Sequence, residues 1–510
     1  MAIELRSNAV RERAAGVLVG QACGDALGVP YEFGPPPLNG RPEMRGGGLG
    51  GYAPGEWSDD TQMAICIAEV AATGIDLTSD EALDEIAERF EEWFASDPAD
   101  MGIQTRSVLS QAALLSGSPA QRLREAARQV HERTGLSAGN GALMRTSPVA
   151  LAHDDPAKAA GAARQVAELT HFDPLAGDAA VLWTELIRRA VLDGRSFDLD
   201  LTLIPAERRT YWAGLIAEAA DQPPKTFVPN GDSMRALQAA YAAITTAAHS
   251  GPTGSLVEDG LVAAVLVGND TDTVAAIAGG ALGALRGLGA FPAPWVQAIN
   301  GWPGYRAHDL VRLALAIVDG GPTPGSWPWV QRMPAPLFAG HTQAVPHPHD
   351  EGVLLGTIED LDRIDELGVD AVVSLCRIGQ DQLAPSGVSA DRHAQFWFFD
   401  AAAPTENPNI RDVLGWAATM TRIWRQRGHR VLIHCVASQR RTPAVALAYA
   451  ALLGMDVGEA AEELLDAMPS AYGHGYLWDQ ARTLADLMQE PTKGDPVPSA
   501  TEVNDHDIAR

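Results

Sequence analysis

The chain has 510 residues, 46% of them hydrophobic, and carries 65 acidic against 38 basic side chains for a formal net charge of −27. That length asks for two or three domains, and no run of about 18 apolar residues is present to span a bilayer. The acidic excess argues against duplex nucleic acid as the main partner, because a phosphate backbone needs a basic face, and is read as a source of solubility.

The start, Met1 to Arg13, carries Arg and Glu where a secretion signal would have an apolar core. Four widely spaced cysteines, Cys23, Cys66, Cys376 and Cys435, form no C-x-x-C pair, so disulfides and zinc are not expected. A reducing cytoplasm is the expected compartment.

From Val10 to about Val318 the chain is dominated by Ala and Leu at helical spacing, as in Ser79 to Phe94, Pro119 to Glu132, Asp178 to Leu192 and Met234 to Ala248. This part predicts an all-α domain over residues 10–320. Its first helix includes Arg13 to Gly28, whose glycines permit close packing. Two acidic motifs stand far apart, Trp57-Ser58-Asp59-Asp60-Thr61 and Gly268-Asn269-Asp270-Thr271-Asp272-Thr273, each running into a helix of small and apolar residues. Brought together, they would make an oxygen-rich cage suited to Mg²⁺ or Mn²⁺. Taken singly, each reads better as a helix N-cap, where Ser, Asp and Thr are preferred, and only as a pair with their neighbours do they favour the metal cage.

Pro and Gly crowd the interval from Gly320 to Pro336, which predicts a linker over 321–345. Short β-rich runs follow at 352–355, 371–375, 395–399 and 431–433, separated by helical segments at 361–367 and 409–427. That alternation predicts an α/β domain with a mostly parallel central sheet over residues 346–489, ahead of a disordered acidic tail at 490–510. His341, His347 and His349 lie near the boundary without thiol or acidic ligands at fitting spacing, so metal binding is not expected there.

The run Val431-Leu432-Ile433-His434-Cys435, followed by Val436 to Arg440, Arg441 and Thr442, is an apolar strand feeding a thiol, a short loop, an arginine and a helix. Such a loop can turn backbone N–H groups to a phosphate, with the helix N-terminus and a bidentate guanidinium adding positive charge. The same field favours a thiolate nucleophile. A proton donor is also required, and Asp400, at the end of Phe396 to Phe399, is the candidate, with a turn-capping carboxylate as the alternative.

The H-C-x5-R-T pattern resembles the dual-specificity and tyrosine phosphatase families. That resemblance implies a phosphocysteine on Cys435, phosphate binding by Arg441, and a hydroxyl on Thr442 that eases departure of the thiolate. Ser438 and Arg440 stand where those families usually place glycine, so either the loop bends differently or the activity is weak.

Several ordered motifs in the first part, Arg13 to Gly28, Pro30-Tyr31-Glu32-Phe33, the two acidic motifs, Gly139-Asn140-Gly141-Ala142-Leu143-Met144-Arg145 and Thr170-His171, are similar to the ADP-ribosylglycohydrolase family. The resemblance implies an all-helical fold, a binuclear Mg²⁺ or Mn²⁺ centre and cleavage of ADP-ribose from a modified protein or small molecule. By position it puts metal ligands on Ser58, Asp59, Asp60, Asp270, Asp272 and Thr273. It gives catalytic roles to Glu32 and Asp100, and an ADP-ribose pocket to Asn140, Gly141, Met144, Arg145 and His171. Read alone, Asp25 is a helix cap, His171 a core histidine and Arg145 an ion-pair partner. The whole chain is expected to join this hydrolase to a phosphatase acting on a phosphorylated substrate, or to a phosphate-binding module of the same fold.

Overall fold

The computed structural model describes residues 6–194, 197–249, 255–333, 343–383, 387–400 and 404–489. The 490–510 tail, His341 and part of the 321–345 interval lie outside the described residues. No described helix is long and apolar enough to cross a membrane.

The described residues up to 320 are mainly helical. The long elements run Asn8–Gly28, Asp59–Ala71, Asp80–Ala95, Pro119–Thr134, Pro174–Asp193, Ser233–His249, Thr271–Arg286 and Ala307–Val318, with one two-residue ribbon between 300–301 and 305–306. Local chemistry sets several ends. The Ser79 side chain accepts the N–H of Ala82, Asp173 accepts that of Leu175 ahead of Pro174, and Gly135 and Gly194 close helices in the left-handed conformation.

The centre of this part is the pairing of the 8–28 and 271–286 helices. Gly16, Gly20, Gly24 and Gly28 recur every fourth residue and so share one face. A Cβ on Gly20 would come within 2.3 Å of the Gly279 carbonyl oxygen, and one on Gly24 within 2.0 Å of that of Ala275. The backbones touch, and no side chain fits between them. Gly24→Ala is therefore expected to cost about 3 kcal/mol or more, read as a fall in the denaturant midpoint, because backbone cannot move aside as a side-chain tip can.

The C-terminal part holds a five-stranded sheet in the order 345–347, 350–357, 431–435, 371–374, 393–395. Only the first pair is antiparallel. Val353, Leu355, Val431 and Ile433 face the Ile410–Gln426 and Arg441–Leu452 helices, while Leu354, Val372 and Leu432 pack with Ile358, Leu361 and Ile364 on the other face. Both faces are covered, which is why these strands read as continuous apolar runs. His347 is buried and bonded to the Ala446 carbonyl at 3.1 Å, as a core histidine.

One expected strand is cut short. Within 395–399 only Gln395 stays in the sheet, at the end of the 393–395 strand. The aromatics beyond it leave the sheet edge. Trp397 packs edge-on against Trp327 with ring centroids 4.3 Å apart, and Phe399 lies under the Arg377 guanidinium. Contacts with the segment ahead of the sheet outweigh the β-propensity of Phe396 to Phe399.

The two parts are packed together. The Gln297 amide donates to the Ala390 carbonyl at 2.7 Å, the Asn409 amide donates to the Arg286 carbonyl, and Arg377 spans Trp327 and Asn8. The described stretch 321–333 lies along this seam. The N–H groups of Gln380 and Asp381 donate to the Val330 and Gln331 carbonyls at 3.1 and 3.0 Å.

Candidate active sites

The glycine-lined pairing places Asp25 of the first helix beside Asp272. Asp25 accepts the N–H of Ser58 at 2.8 Å and that of Thr61 at 3.0 Å, one on each carboxylate oxygen. It thereby caps the 59–71 helix from a neighbouring element, and Ser58, at the N-cap position, makes no side-chain cap of its own. The Ser58 hydroxyl instead donates to Asp60 Oδ2 at 3.1 Å, and the Thr273 hydroxyl donates to the same oxygen at 3.3 Å. Asp270, the N-cap of the 271–286 helix, also lacks a side-chain cap and accepts the Asn140 amide at 2.7 Å. Ser79 and Asp155 cap their helices in the ordinary way. The capping explanation thus fails for Ser58 and Asp270.

Asp25, Asp60 and Asp272 each present an oxygen within 4.8 Å of the others, and so do Glu32, Asp270 and Asp272. Burial, then mutual repulsion, holds Asp60 and Asp272 well above the usual carboxylate range, while burial and the neighbouring Asp100 push Asp59 to about 8. Burial also raises Asp25 to about 6, and burial with the charge of Asp270 raises Glu32 to about 9. Asp60 Oδ1 is buried without a hydrogen-bond partner. An all-oxygen set of this kind, with an orphaned acceptor and no basic side chain bonded to it, fits hard divalent cations and does not fit a soft metal.

The remaining residues are arranged around this cluster. Glu32 and Asp100 are half-buried, whereas the aspartates at 25, 59, 60, 270 and 272 are buried. The N–H of Gly102 points to Asp59 at 3.4 Å, which lays the 100–102 segment along the cluster. Asn230 was not visible in the sequence. It is fully buried, accepts the N–H of Asp270 at 3.0 Å and donates to the Gly268 carbonyl at 3.1 Å, holding the second acidic motif in place. Tyr52 was also missed. Its buried hydroxyl has no partner, and burial and the charge of Asp59 and Asp25 raise it. Asp25 did leave a signal, since it is the one acid in the buried run from Ala14 to Gly28.

The 139–145 segment splits in two. Asn140 reaches the carboxylates with its side chain, while its N–H is bonded to the Gly231 carbonyl at 3.2 Å. Gly141 lies against His171, where a Cβ would meet the ring at 2.9 Å. Arg145 departs from the expected pocket position. It is fully buried, donates to Thr170 Oγ1 at 2.7 Å and lies over the Phe90 ring. Thr170 in turn bonds His171 Nδ1 at 2.7 Å. Arg145 and His171 therefore support the loop from within the core. Met144 is buried too, and its carbonyl accepts the Gln21 amide.

In the C-terminal part Cys435 ends the central strand, 3% exposed, and Arg441 opens the following helix. Arg441 Nη1 donates to the carbonyls of Leu375 and Phe398 at 3.0 and 3.3 Å, while Nε is left without a partner. The Thr442 and Ser438 hydroxyls are buried and likewise unpartnered. His434 is buried and bonded to Ser374 Oγ at 2.6 Å, and burial lowers it to about 4, so it stays neutral. Asp400 is exposed, with Arg440 Nη1 at 3.4 Å.

The two departures from glycine are not equivalent. Arg440 has φ −129°, an ordinary value, whereas Ser438 has φ +56°. The loop keeps its left-handed residue and places a Cβ there. Ser438→Gly is expected to stabilise the protein by about 1 kcal/mol, measured by thermal melting, by relieving the backbone and removing an unbonded buried hydroxyl.

Comparison with known proteins adds an independent finding. The family model described as ADP-ribosylglycohydrolase matches residues 6–325. The chain is similar to ADP-ribosylarginine hydrolase Tri1 of Pseudomonas putida (strain GB-1), with 29% identity over 61% of this chain and 79% of that protein. It is similar to the ADP-ribosyl-[dinitrogen reductase] glycohydrolase of Rhodospirillum rubrum, with 29% identity over 57% of this chain and 91% of that one. Among solved structures, human DUSP28 matches at 18% identity over 29% of this chain and 96% of its own, with a TM-score of 0.25.

Proposed function

Because the chain belongs to the ADP-ribosylglycohydrolase family, we propose that its helical part hydrolyses the glycosidic bond between ADP-ribose and a modified target, with ADP-ribosylarginine as substrate. The observation that carries this reading is the pooling of Asp25, Asp60 and Asp272 with Glu32 and Asp270 around an unpartnered Asp60 oxygen. The arginine linkage is taken from the Pseudomonas relative.

Ser58, Asp59, Asp60, Asp270, Asp272 and Thr273 would hold two divalent cations, Mg²⁺ or Mn²⁺, with Asp25 as a further oxygen donor. When bound, the cations would polarise the ribose hydroxyls and orient a water. The chain's own part is to receive protons and to keep the cluster rigid. Glu32 is half-buried among the carboxylates, and burial and then their charge raise it; with that charge offset by bound cations it would ionise and take the proton of the attacking water, while Asp100 adds negative charge for an oxocarbenium-like transition state. Asn140 and Asn230 keep Asp270 in one orientation.

The C-terminal part is assigned phosphate monoester hydrolysis. Cys435 Sγ attacks phosphorus, the bond to the leaving oxygen breaks as Asp400 gives that oxygen a proton, and water, returning a proton to the Asp400 carboxylate, then displaces the thiolate to release phosphate. Arg441 holds the phosphate oxygens and Thr442 donates to the departing sulfur. The strained Ser438 and the contact between Asp400 and Arg440 favour a second reading, a module that holds phosphate without cleaving it. Four buried free thiols suit a cytoplasmic setting.

Incubation with Mg²⁺ or Mn²⁺ and ADP-ribosylarginine tests the first assignment, and release of ADP-ribose that stops on chelation is the expected result. Turnover of an aryl phosphate tests the second. No turnover by the wild-type chain would leave the holding module standing.

A further inference from the structure

A cavity of about 400 Å³ lies between the two parts, away from the carboxylate cluster and from Cys435. That volume is within the range of small-molecule sites, roughly 300–1,000 Å³. Its two walls differ in chemistry. The helical part contributes Arg306, His308 and Arg312, and the sheet part contributes Gln380, Gln395 and Trp397. None of the described lining residues is acidic, in a chain with 65 carboxylates.

The cationic wall is built on the start of the Ala307–Val318 helix, so its first N–H groups and the positive end of its dipole add to the two guanidiniums. Asp309 covers part of that end, taking the Arg306 N–H at 3.0 Å and facing His308 at 3.1 Å. Asp309 also attracts the Arg312 charge, without a hydrogen bond between the two. The Arg312 guanidinium lies over the Trp329 ring at 4.8 Å, and its buried Nε has no hydrogen-bond partner. A buried donor of this kind is costly unless a ligand satisfies it. Across the cavity, the Trp397 indole N–H donates to Gln395 Oε1 at 3.1 Å and fixes that amide. Gln380 is held by the Pro328 carbonyl.

A ligand that suits both walls carries an anionic group at one end and a planar heteroaromatic ring with polar edges at the other. We propose that this cavity is a binding site for a purine nucleotide, its phosphate on Arg306, Arg312 and the helix N-terminus, and its base against Trp397 and the glutamine amides. The ligand would touch both parts at once. The sheet wall continues directly into Phe398, whose carbonyl Arg441 holds, and then into Asp400, so occupancy stiffens the segment that frames the second site.

The test uses the full chain carrying Asp60→Asn and Cys435→Ser, so that nucleotide chemistry at the other two sites is suppressed. Titration with AMP, read by tryptophan fluorescence and calorimetry, is expected to saturate at one equivalent and to raise the melting temperature. Adding Arg306→Gln or Arg312→Gln is expected to weaken AMP roughly tenfold to a hundredfold. Gln395→Ala, on the opposite wall, is expected to weaken AMP while leaving inorganic phosphate binding unchanged. The proposal is overturned if AMP fails to saturate by about 1 mM, if it binds Arg306→Gln and Gln395→Ala as tightly as the parent, or if inorganic phosphate binds as tightly as AMP.

Discussion

Asp60→Asn is expected to lower metal-dependent release of ADP-ribose by about a thousandfold while making the metal-free protein more stable. The first effect follows from removing a central oxygen of the cluster, since metal-held charge is worth several kcal/mol in the transition state. The second follows from burial and, after it, repulsion. Asp60 is buried, with Asp25, Asp59 and Asp270 close enough to raise its proton affinity further, so the metal-free fold gains when an amide that never ionises replaces it. A gain of about 1 kcal/mol is expected, or about 2 °C in the melting temperature.

The same carboxylates set a pH dependence. An acid whose folded value is raised keeps its proton where the unfolded chain has lost it, so stability is greatest below the unfolded value and falls as pH rises to the folded one. Asp25, Asp59 and Glu32 shift from 3.8, 3.8 and 4.5 to about 6, 8 and 9. The metal-free protein should therefore lose melting temperature from about pH 4 to about pH 9, with the share of Asp25 complete by about pH 6. Addition of Mg²⁺ should flatten that slope, and Asp60→Asn should reduce it without metal. A metal-free melting temperature that rises across this window would contradict the reading of the cluster as mutually repelling carboxylates.

Cys435→Ser is expected to remove aryl phosphate turnover altogether, a loss of about a thousandfold or more, because a serine hydroxyl there has no base to activate it and leaves poorly. His434, the nearest imidazole in sequence, is buried, neutral and bonded to Ser374, so it cannot take that part. Arg441→Lys should cost about a hundredfold, since a point charge replaces the planar fork. Neither change should alter ADP-ribose release by more than about twofold, because the two clusters share no residue. Stopped assays of both products on each variant check the separation. Residual phosphatase turnover in Cys435→Ser would assign the activity to another group.

The helical and α/β halves were legible from period and composition, since apolar residues recur at helical spacing in one and in short buried runs in the other. The acidic motifs and the H-C-x5-R-T loop were legible because their residue types are contiguous. What escaped was whatever depended on residues far apart. Asn230 looks like any loop asparagine until the fold brings it to Gly268 and Asp270. The charge of Arg145 predicts a surface ion pair and the family resemblance a pocket residue, yet a threonine hydroxyl, a carbonyl and the Phe90 face hold it in the core. The run Phe396 to Phe399 has strand composition, but Trp327 and Arg377 take its aromatics out of the sheet.

By itself the sequence determined the two element patterns, the glycine spacing that permits backbone contact, and the identity of the oxygens and the thiol, because these are properties of local spacing and side-chain chemistry. Only the tertiary structure decided that Ser58 and Asp270 leave their helices uncapped and turn inward. It alone decided that Asp25 supplies the missing cap, and that a cavity with no acid among its described lining residues forms where the two halves meet. The reason is that capping, repulsion and cavity lining depend on distances between elements, which helix and strand periods do not encode.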